Sequence, residues 1–326
     1  MPFRDIYGHE KQIAILQKTI AQSRVGHAYL FSGINAVGKK TLAGVFAAAL
    51  NCDHTATLHD SCGNCPSCRK MRHRSHPDAI SIEADGQFIR INAIRELQEQ
   101  MKFKPLEGRW RTVIIDDADK MNDQAANALL KTLEEPSASN ILILISSRPY
   151  SLPATIISRC RQMRFNPLSA AAVARFLVEC KEIEEQKALV LAGLAGGSIG
   201  KALELDQEEV AAERAKIMNL LINTRHDDPI SLLNFASFFS RDKKRARHAL
   251  DIVNSCFRDA LVFKETRKKE MLLNQDRADY IMELAQRLPG EKIIENIFLI
   301  EKARERTEQN INKALTLETM AFKLNY

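Results

Sequence analysis

The chain has 326 residues, 45% of them hydrophobic and 27% charged, which is typical of an ordinary soluble globular protein with room for two or three domains. Its net charge of +6 permits contact with nucleic acid or acidic partners without requiring it. Because neither an export signal nor an apolar run of roughly 20 residues is visible, we expect a cytoplasmic protein that does not enter a membrane.

The N-terminal part predicts a helix, a buried strand and a phosphate-binding loop. Residues 9–22 carry apolar side chains at helical spacing, residues 27–31 form a short apolar run, and residues 42–50 are rich in helix formers. Between this strand and helix stand the three defining residues of the G-x-x-x-x-G-K pattern: Gly33, Gly38 and Lys39. Backbone N–H groups, the helix N-terminus and the lysine would together bind the phosphates of ATP.

The residue after the loop lysine departs from this pattern. A Ser or Thr hydroxyl at that position holds Mg²⁺, whereas this chain has Lys40. Thr41 carries a hydroxyl, but one step along a helix is roughly 100°, so we expect it to point elsewhere. Two interpretations stay open: a nucleotide-binding loop with a weakened metal site, or a chance glycine-rich turn.

Four of the seven cysteines lie within residues 52–68: three form two overlapping C-x-x-C turns, and the fourth lies at the end of the preceding predicted helix. Without an export signal such a cluster favours metal binding over disulfides, and four thiolates suit a closed, structural Zn²⁺ site. His54 or His59 could replace one cysteine, and a redox dithiol or unligated thiols are the alternatives. The predicted ligands are Cys52, Cys62, Cys65 and Cys68.

In residues 77–91, apolar and polar side chains alternate on both sides of a central Asp85-Gly86, which predicts a strand, a turn and a second strand. Residues 92–101 then predict a short helix. A basic loop follows, for which a solvated surface and a phosphate contact are both open. Its cations are Lys102, Lys104, Arg109 and Arg111.

A pair of carboxylates ends the next predicted strand. Residues 112–115 are β-formers followed by Asp116 and Asp117, at the carboxyl end of a strand, where ligands lie in open α/β sheets. In phosphate-loop NTPases an Asp there holds Mg²⁺, and Asp116 is the candidate for that role. Asp117 is one methylene shorter than the Glu that usually polarises the attacking water, and a misplacement of about 1 Å costs on the order of 100-fold in rate.

The alternation of helices and strands continues toward a doubly wound parallel α/β core. Residues 122–135 predict a helix, and residues 141–145 predict a fully buried strand. Ser146 ends that strand and is a candidate for sensing the terminal phosphate. Residues 152–164 contain a helical turn that ends at Arg159, which the residues alone would assign to a solvated surface.

Helical patterns dominate from residue 169 onward, and no catalytic cluster is visible there. Residues 169–205 predict a small helical domain broken by glycines, and the remainder to residue 326 predicts a helical bundle. Cys180 and Cys256 lie on apolar helices and are expected to be buried. The last apolar stripe consists of Ile311, Leu315 and Phe322, and a basic run expected on a solvated face consists of Lys243, Lys244, Arg245 and Arg247.

Assembled in this order, the motifs resemble the AAA+ subunits of the bacterial replicative clamp loader. The resemblance rests on the phosphate loop, the four-cysteine insert and the segments IIDDADKM, NALLKTLEEP and LPATIISRC, which together cover about residues 5–165. It implies an α/β AAA+ domain with a zinc module, a small helical lid and an all-α collar. The corresponding ranges are 1–166, 167–206 and 207–326.

The same resemblance implies partners and a catalytic role. Collar domains would join this chain to gamma/tau and delta subunits in a five-subunit ring that loads the sliding clamp on primed DNA during replication. In that family the motif that stands here as Ser158-Arg159-Cys160 lends its arginine to ATP bound by the neighbouring subunit. An arginine supplied in trans is worth about 10³ to 10⁵ in rate. The resemblance thereby makes Arg159 the leading catalytic candidate.

Departures from the motor subunits of that family favour a stator-like subunit with weak or absent ATPase activity of its own. Lys40 and Asp117 alter the metal and water positions, and Gly200 with Lys201 stands where motors carry a lid arginine. The alternative is an active ATPase motor subunit of the same loader. A free-standing zinc-dependent nucleic-acid binder is disfavoured, because the net charge is modest and aromatic residues are not interleaved with basic ones.

Overall fold

The computed structural model divides into two compact units. The first consists of Met1–Phe176 and Gly196–Gly200, and the second of Leu177–Ala195 and Lys201–Tyr326. The predicted boundaries between AAA+ domain, lid and collar stay a prediction. The structure describes residues 1–54, 59–86, 88–205, 208–225, 228–239, 243–308 and 312–325.

The described part of the first unit contains a five-stranded parallel sheet in the order β2-β3-β4-β1-β5. Its strands are β1 (Ala28–Gly33), β2 (Ala79–Ile82), β3 (Arg111–Ile115), β4 (Asn140–Ser146) and β5 (Arg161–Phe165). The first helices are α1 (Glu10–Ala21), α2 (Lys39–Leu50), α3 (Pro66–Arg72), α4 (Ile91–Met101), α5 (Asp123–Glu134), α6 (Ala154–Ile157) and α7 (Ala170–Lys181). The predicted parallel α/β core is confirmed.

Both faces of the sheet are buried, because alternate side chains of each strand enter different cores. Tyr29 and Phe31 of β1 pack on one face with Phe46 of α2. Leu30 lies on the other face, in a core that includes Leu129 of α5. The central strands therefore consist of nearly continuous apolar runs.

The sheet order brings the candidate residues to one edge. β1 lies between β4 and β5, and β3 pairs with both β2 and β4. The phosphate loop and Asp116 therefore follow the carboxyl ends of β1 and β3, and Ser146 is the last residue of β4. This edge is where ligands lie in open parallel sheets.

Two features of the first unit differ from the predictions. β5 was not expected, because only Met163 and Phe165 of its five residues are buried and the others are exposed at the edge of the sheet. The second strand predicted within residues 77–91 is wrong for the described residues. Ile89 there forms one isolated parallel bridge with Met121 instead of a strand.

The second unit is a helical bundle, as predicted for the C-terminal part, around a core that includes Phe235, Phe257 and Ile300. No single described helix is long and apolar enough to span a membrane, although α8 and α9 together, as a bent pair, have the necessary length and composition. The later helices are α8 (Glu185–Leu194), α9 (Ile199–Leu205), α10 (Glu208–Asn223), α11 (Pro229–Phe239), α12 (Lys243–Thr266), α13 (Ala278–Arg287), α14 (Gly290–Glu308) and α15 (Lys313–Lys323).

Predictions for individual side chains of these helices have mixed outcomes. Cys256 is fully buried as predicted, whereas the prediction for Cys180 is wrong because its side chain is exposed. Leu315 and Phe322 are exposed, and Ile311 lies outside the described residues. Arg247 is exposed; the other side chains of its basic run, at 243–245, lie outside those described.

Candidate functional site

The phosphate loop joins the end of β1 to the start of α2. Gly33 and Gly38 have φ angles of 153° and 113°, a backbone conformation that residues with a side chain rarely adopt. A Cβ atom on Gly33 would lie 2.3 Å from the carbonyl oxygen of Phe165. Glycine at position 33 is thus required by packing against β5 as well as by any approach of a phosphate.

The carbonyl groups of the loop are held by donors from the same unit. Lys39 Nζ donates to the carbonyls of Gly33 and Ile34, both at 2.7 Å. Ser198 Oγ donates to the carbonyl of Asn35 at 3.0 Å, and the Gly200 N–H donates to that of Ala36 at 3.1 Å. His9 Nε2 donates to the carbonyl of Val37 at 2.9 Å. Five consecutive carbonyls therefore have protein partners. These contacts fix the loop conformation without a ligand.

Lys39 is buried, with 5% of its surface exposed. Burial lowers the pKa of its ammonium group and outweighs the opposing effect of the carboxylates of Asp116, Asp117 and Asp119, so the pKa is lowered overall. The acidic end of β3 and the turn that follows it therefore offset only part of the effect of burial on the loop lysine.

Lys40 is bound to two carboxylates. Its ammonium lies 2.8 Å from Asp116 Oδ2 and 2.6 Å from Glu83 Oε1. Burial lowers the pKa of Lys40, but the hydrogen bonds to Asp116 and Glu83 outweigh burial and the pKa is raised. The hydrogen bond from Lys40 in turn lowers the pKa of Glu83. Thr41 is exposed on α2.

The other candidate polar groups at this edge are engaged within the chain. Asp117 has a φ of 50° and pairs with Lys120 Nζ at 2.7 Å. Ser146 Oγ is buried and donates to Asp119 Oδ1 at 2.7 Å. The same aspartate pairs with Arg148 Nε at 3.2 Å. The structure thus gives Asp117 and Ser146 contacts with protein groups, and their proposed nucleotide roles stay predictions.

Arg159 follows α6 at the surface of the first unit. Its guanidinium donates to the carbonyl of Thr155 at 3.0 Å and lies 2.8 Å from Glu134 Oε1 at the end of α5. About a third of the arginine side chain, 36%, is exposed. The neighbours Ile156 and Cys160 are buried, so the backbone is anchored while the guanidinium faces outward.

The four clustered cysteines converge on one point. Their Sγ atoms all lie within 4.8 Å of one another. Backbone N–H groups donate to three of the sulfurs, and those from Asn64 and Cys65 lower the pKa of the Cys62 thiol to about 6. Such N–H bonds favour thiolates, the form that binds metals. The cluster can hold a metal ion.

A buried ion pair that was not predicted joins Arg111, the first residue of β3, to Asp78. Arg111 is 4% exposed and lies 3.4 Å from Asp78, which also accepts three N–H bonds from residues 106–108 at 2.8 Å. Burial raises the pKa of Asp78, but those N–H bonds and Arg111 outweigh it and the pKa is lowered. Arg111 is therefore a structural residue and neither a solvated cation nor a phosphate contact.

Three further residues at the site were missed: His9, Glu83 and Asp119. Glu83 directly follows β2, and the register that pairs Ile82 with Ile115 places it beside Asp116. An acidic residue at a strand end was the available signal, but it required the strand pairing to be known. His9 and Asp119 lie in turns and carried no pattern of their own.

Sheet order, phosphate loop and helical C-terminal part together define the class, an α/β protein of the AAA+ type. Residues 8–169 match the family described as DNA polymerase III, delta subunit, and residues 208–325 match its C-terminal family. The chain belongs to the delta' subunits of the DNA polymerase III clamp-loader family. Its broad function therefore lies in DNA replication.

Two delta' subunits and one tau subunit are among the relatives of this chain. The delta' subunit of Bacillus subtilis is 30% identical over 95% of this chain and 94% of its own length. The delta' subunit of Pseudomonas aeruginosa is 35% identical over 66% of this chain and 65% of its own length. The tau subunit of B. subtilis is 29% identical over 99% of this chain, which spans 61% of that longer protein.

Proposed function

We propose that this chain is a stator-like, delta'-type subunit that supplies Arg159 to ATP bound by a neighbouring clamp-loader subunit. Its partners are gamma/tau and delta subunits in a five-subunit ring, which acts on the sliding clamp and primed DNA. The observation that carries the proposal is the position of Arg159. The guanidinium is partly exposed at the surface, and its partners are Thr155, Ser158 and Glu134 rather than groups of its own phosphate loop.

The test is ATP turnover by the complex reconstituted from all subunits. Arg159→Ala is expected to leave folding and assembly intact and to slow turnover by about 10³-fold or more at the affected site, because transition-state charge on the phosphates loses its partner. Arg161→Ala is the matched control. Arg161 is two residues away, exposed, and bonded to the carbonyl of Arg24. Unchanged turnover by an assembled Arg159→Ala complex would contradict the proposal.

The weak ATPase activity proposed for the chain itself is supported by the contacts of its loop. Lys39 donates to carbonyls of its own loop. Lys40 forms an ion pair with the carboxylate of Asp116, and Asp117 forms one with Lys120. We expect the isolated chain to hydrolyse ATP no faster than its Lys39→Ala variant. Measurable turnover that is lost on Lys39→Ala would favour the alternative, an active motor subunit.

We infer that the cysteine cluster holds a structural Zn²⁺. Four convergent sulfurs fit the closed tetrahedral coordination that zinc prefers, with Cys52, Cys62, Cys65 and Cys68 as ligands. When bound, the ion cross-links the end of α2 to α3 and takes no part in chemistry. Metal analysis is expected to find one zinc per chain, lost in Cys62→Ser and retained in Cys180→Ser, since Cys180 lies elsewhere and is exposed.

A further inference from the structure

Two neighbouring strand ends form an acidic pair beside the phosphate loop. β2 and β3 are parallel, and Ile82 is opposite Ile115, so the next residues, Glu83 and Asp116, stand side by side. The N–H of Asp116 donates to the carbonyl of Ile82 at 2.9 Å, which holds the two ends together. Paired carboxylates at this edge would ordinarily make a ligand set for a hard divalent cation.

Mg²⁺ does not fit the residues present. It requires oxygen ligands in near-octahedral geometry at about 2.0–2.1 Å, and a phosphate-loop site draws one from the hydroxyl after the loop lysine. That position is Lys40, whose ammonium lies 2.8 Å from Asp116 and 2.6 Å from Glu83. A positive group already contacts both carboxylates, and the hydroxyl ligand is replaced.

We propose that the ammonium of Lys40 is the resident cation of this site and excludes Mg²⁺ from it. Lys40 lies in the first turn of α2, so its ammonium is tethered beside the carboxylates and cannot diffuse away. A divalent ion on Asp116 would have to displace it and would then be repelled by it. Any phosphate ligand of this loop is therefore bound without a divalent metal.

The inference rests on contacts within this chain and not on the role proposed for Arg159. Lys120 provides a matched comparison, because it neutralises the adjacent Asp117 at 2.7 Å without touching Asp116 or Glu83 in any contact described. Removing either lysine makes the same change in local charge. Only removal of Lys40 frees the two paired carboxylates, and Thr at position 40 also supplies a hydroxyl.

The experiment measures Mn²⁺ binding to the full chain, purified with zinc, by the electron paramagnetic resonance signal of free Mn²⁺. Mn²⁺ is the probe because it takes the same oxygen ligands as Mg²⁺. The unmodified chain is expected to show no stoichiometric site. Lys40→Thr is expected to bind one Mn²⁺ at least about tenfold more tightly than Lys120→Thr. Adding Asp116→Asn to Lys40→Thr is expected to abolish the site.

Two outcomes would overturn the proposal. One is a stoichiometric Mn²⁺ site in the unmodified chain that is lost on Asp116→Asn. The other is a folded Lys40→Thr variant that binds Mn²⁺ no more tightly than Lys120→Thr. Circular dichroism and zinc content establish folding, and Lys40→Ser offers the same hydroxyl if the Thr variant does not fold. Either result leaves the separate test of Arg159 unaffected.

Discussion

Arg159 has an acidic partner in its own chain, and that contact bears on how easily a neighbour can use the guanidinium. Glu134 Oε1 lies 2.8 Å from Arg159, and about half of the glutamate side chain, 51%, is exposed. Solvent-exposed ion pairs of this kind are worth about 0.2–1 kcal/mol. A phosphate in a dry subunit interface offers the arginine a stronger, bidentate partner.

Glu134→Gln should therefore leave stability almost unchanged and should not slow the reconstituted complex. We expect the free energy of unfolding to change by less than about 1 kcal/mol and ATP turnover to equal or exceed that of the unmodified complex. The measurements are urea denaturation and steady-state turnover. A fall in turnover to the level of Arg159→Ala would show instead that Glu134 positions the arginine.

Gly33 serves the packing of the fold and the conformation of the phosphate loop together. With a Cβ atom 2.3 Å from the Phe165 carbonyl, Gly33→Ala should destabilise the first unit by about 2–3 kcal/mol even without nucleotide. Gly44→Ala is the control. No atom lies within 4 Å of the position of its Cβ, and alanine in a helix should stabilise by about 0.5–1 kcal/mol.

The chain offers a specific probe for this measurement. Its one tryptophan, Trp110, packs against the core of the first unit, so its fluorescence reports the unfolding of that unit. Equal urea midpoints for Gly33→Ala and the unmodified chain would mean that the loop tolerates a side chain. The glycine would then be explained by phosphate binding alone.

Among the elements, burial on both faces decided which strands could be predicted. β1, β3 and β4 lie inside the sheet and appear in the sequence as continuous apolar runs, so they were predicted with nearly the observed bounds. β5 is an edge strand in which three of five residues are exposed, and its pattern carried no comparable signal. Pairing with β1 specifies that strand, and pairing is not visible in the local sequence.

The residues of the candidate site likewise fall into two groups, those predicted from local patterns and those that depend on strand pairing. Gly33, Gly38, Lys39 and Asp116 were found from local spacing, because a phosphate loop and a strand-end carboxylate are local patterns. The contact of Lys40 with Glu83 joins residues that are 43 positions apart. It depends on the register between β2 and β3, which only the folded structure supplies.

Asp78 makes a stabilising contact of the same long-range kind, because it connects the start of β2 to the loop before β3. Asp78→Asn removes the charge that accepts three N–H bonds and pairs with the buried Arg111. Breaking a buried ion pair by removing one partner typically costs about 3–5 kcal/mol. We expect a loss of that order at pH 7, measured by urea denaturation followed through Trp110.

The pH dependence of that loss follows from the lowered pKa of Asp78 in the folded chain. A carboxylate with a depressed folded pKa stabilises above its unfolded value of about 3.9, and the contribution disappears as the pH falls toward the folded value. The gap between the unmodified chain and Asp78→Asn should therefore be constant from pH 7 to pH 5 and shrink below about pH 4. A gap that is unchanged at pH 3 would contradict this account.

The proposed ring requires the helical unit to present a contact surface to other subunits. On α14, Ile294 and Phe298 are 42% and 71% exposed and stand four residues apart, which places them on one face of the helix. Large apolar side chains exposed together on one face are typical of an interaction surface. In the ring proposed above, the partners of this face would be the helical units of the gamma/tau and delta subunits.

Replacing Ile294 and Phe298 by Ser should then weaken assembly without weakening the chain itself. The side chains are exposed, so the unfolding free energy should change by less than about 0.5 kcal/mol. Each buried apolar anchor of an interface can contribute about 2 kcal/mol or more, so the pair should reduce the affinity of the chain for the other subunits by at least about tenfold. Size-exclusion chromatography of the reconstituted complex over a dilution series measures this. Met271→Ser, 51% exposed outside α14, is the control, and equal assembly of all three proteins would place the subunit contact elsewhere.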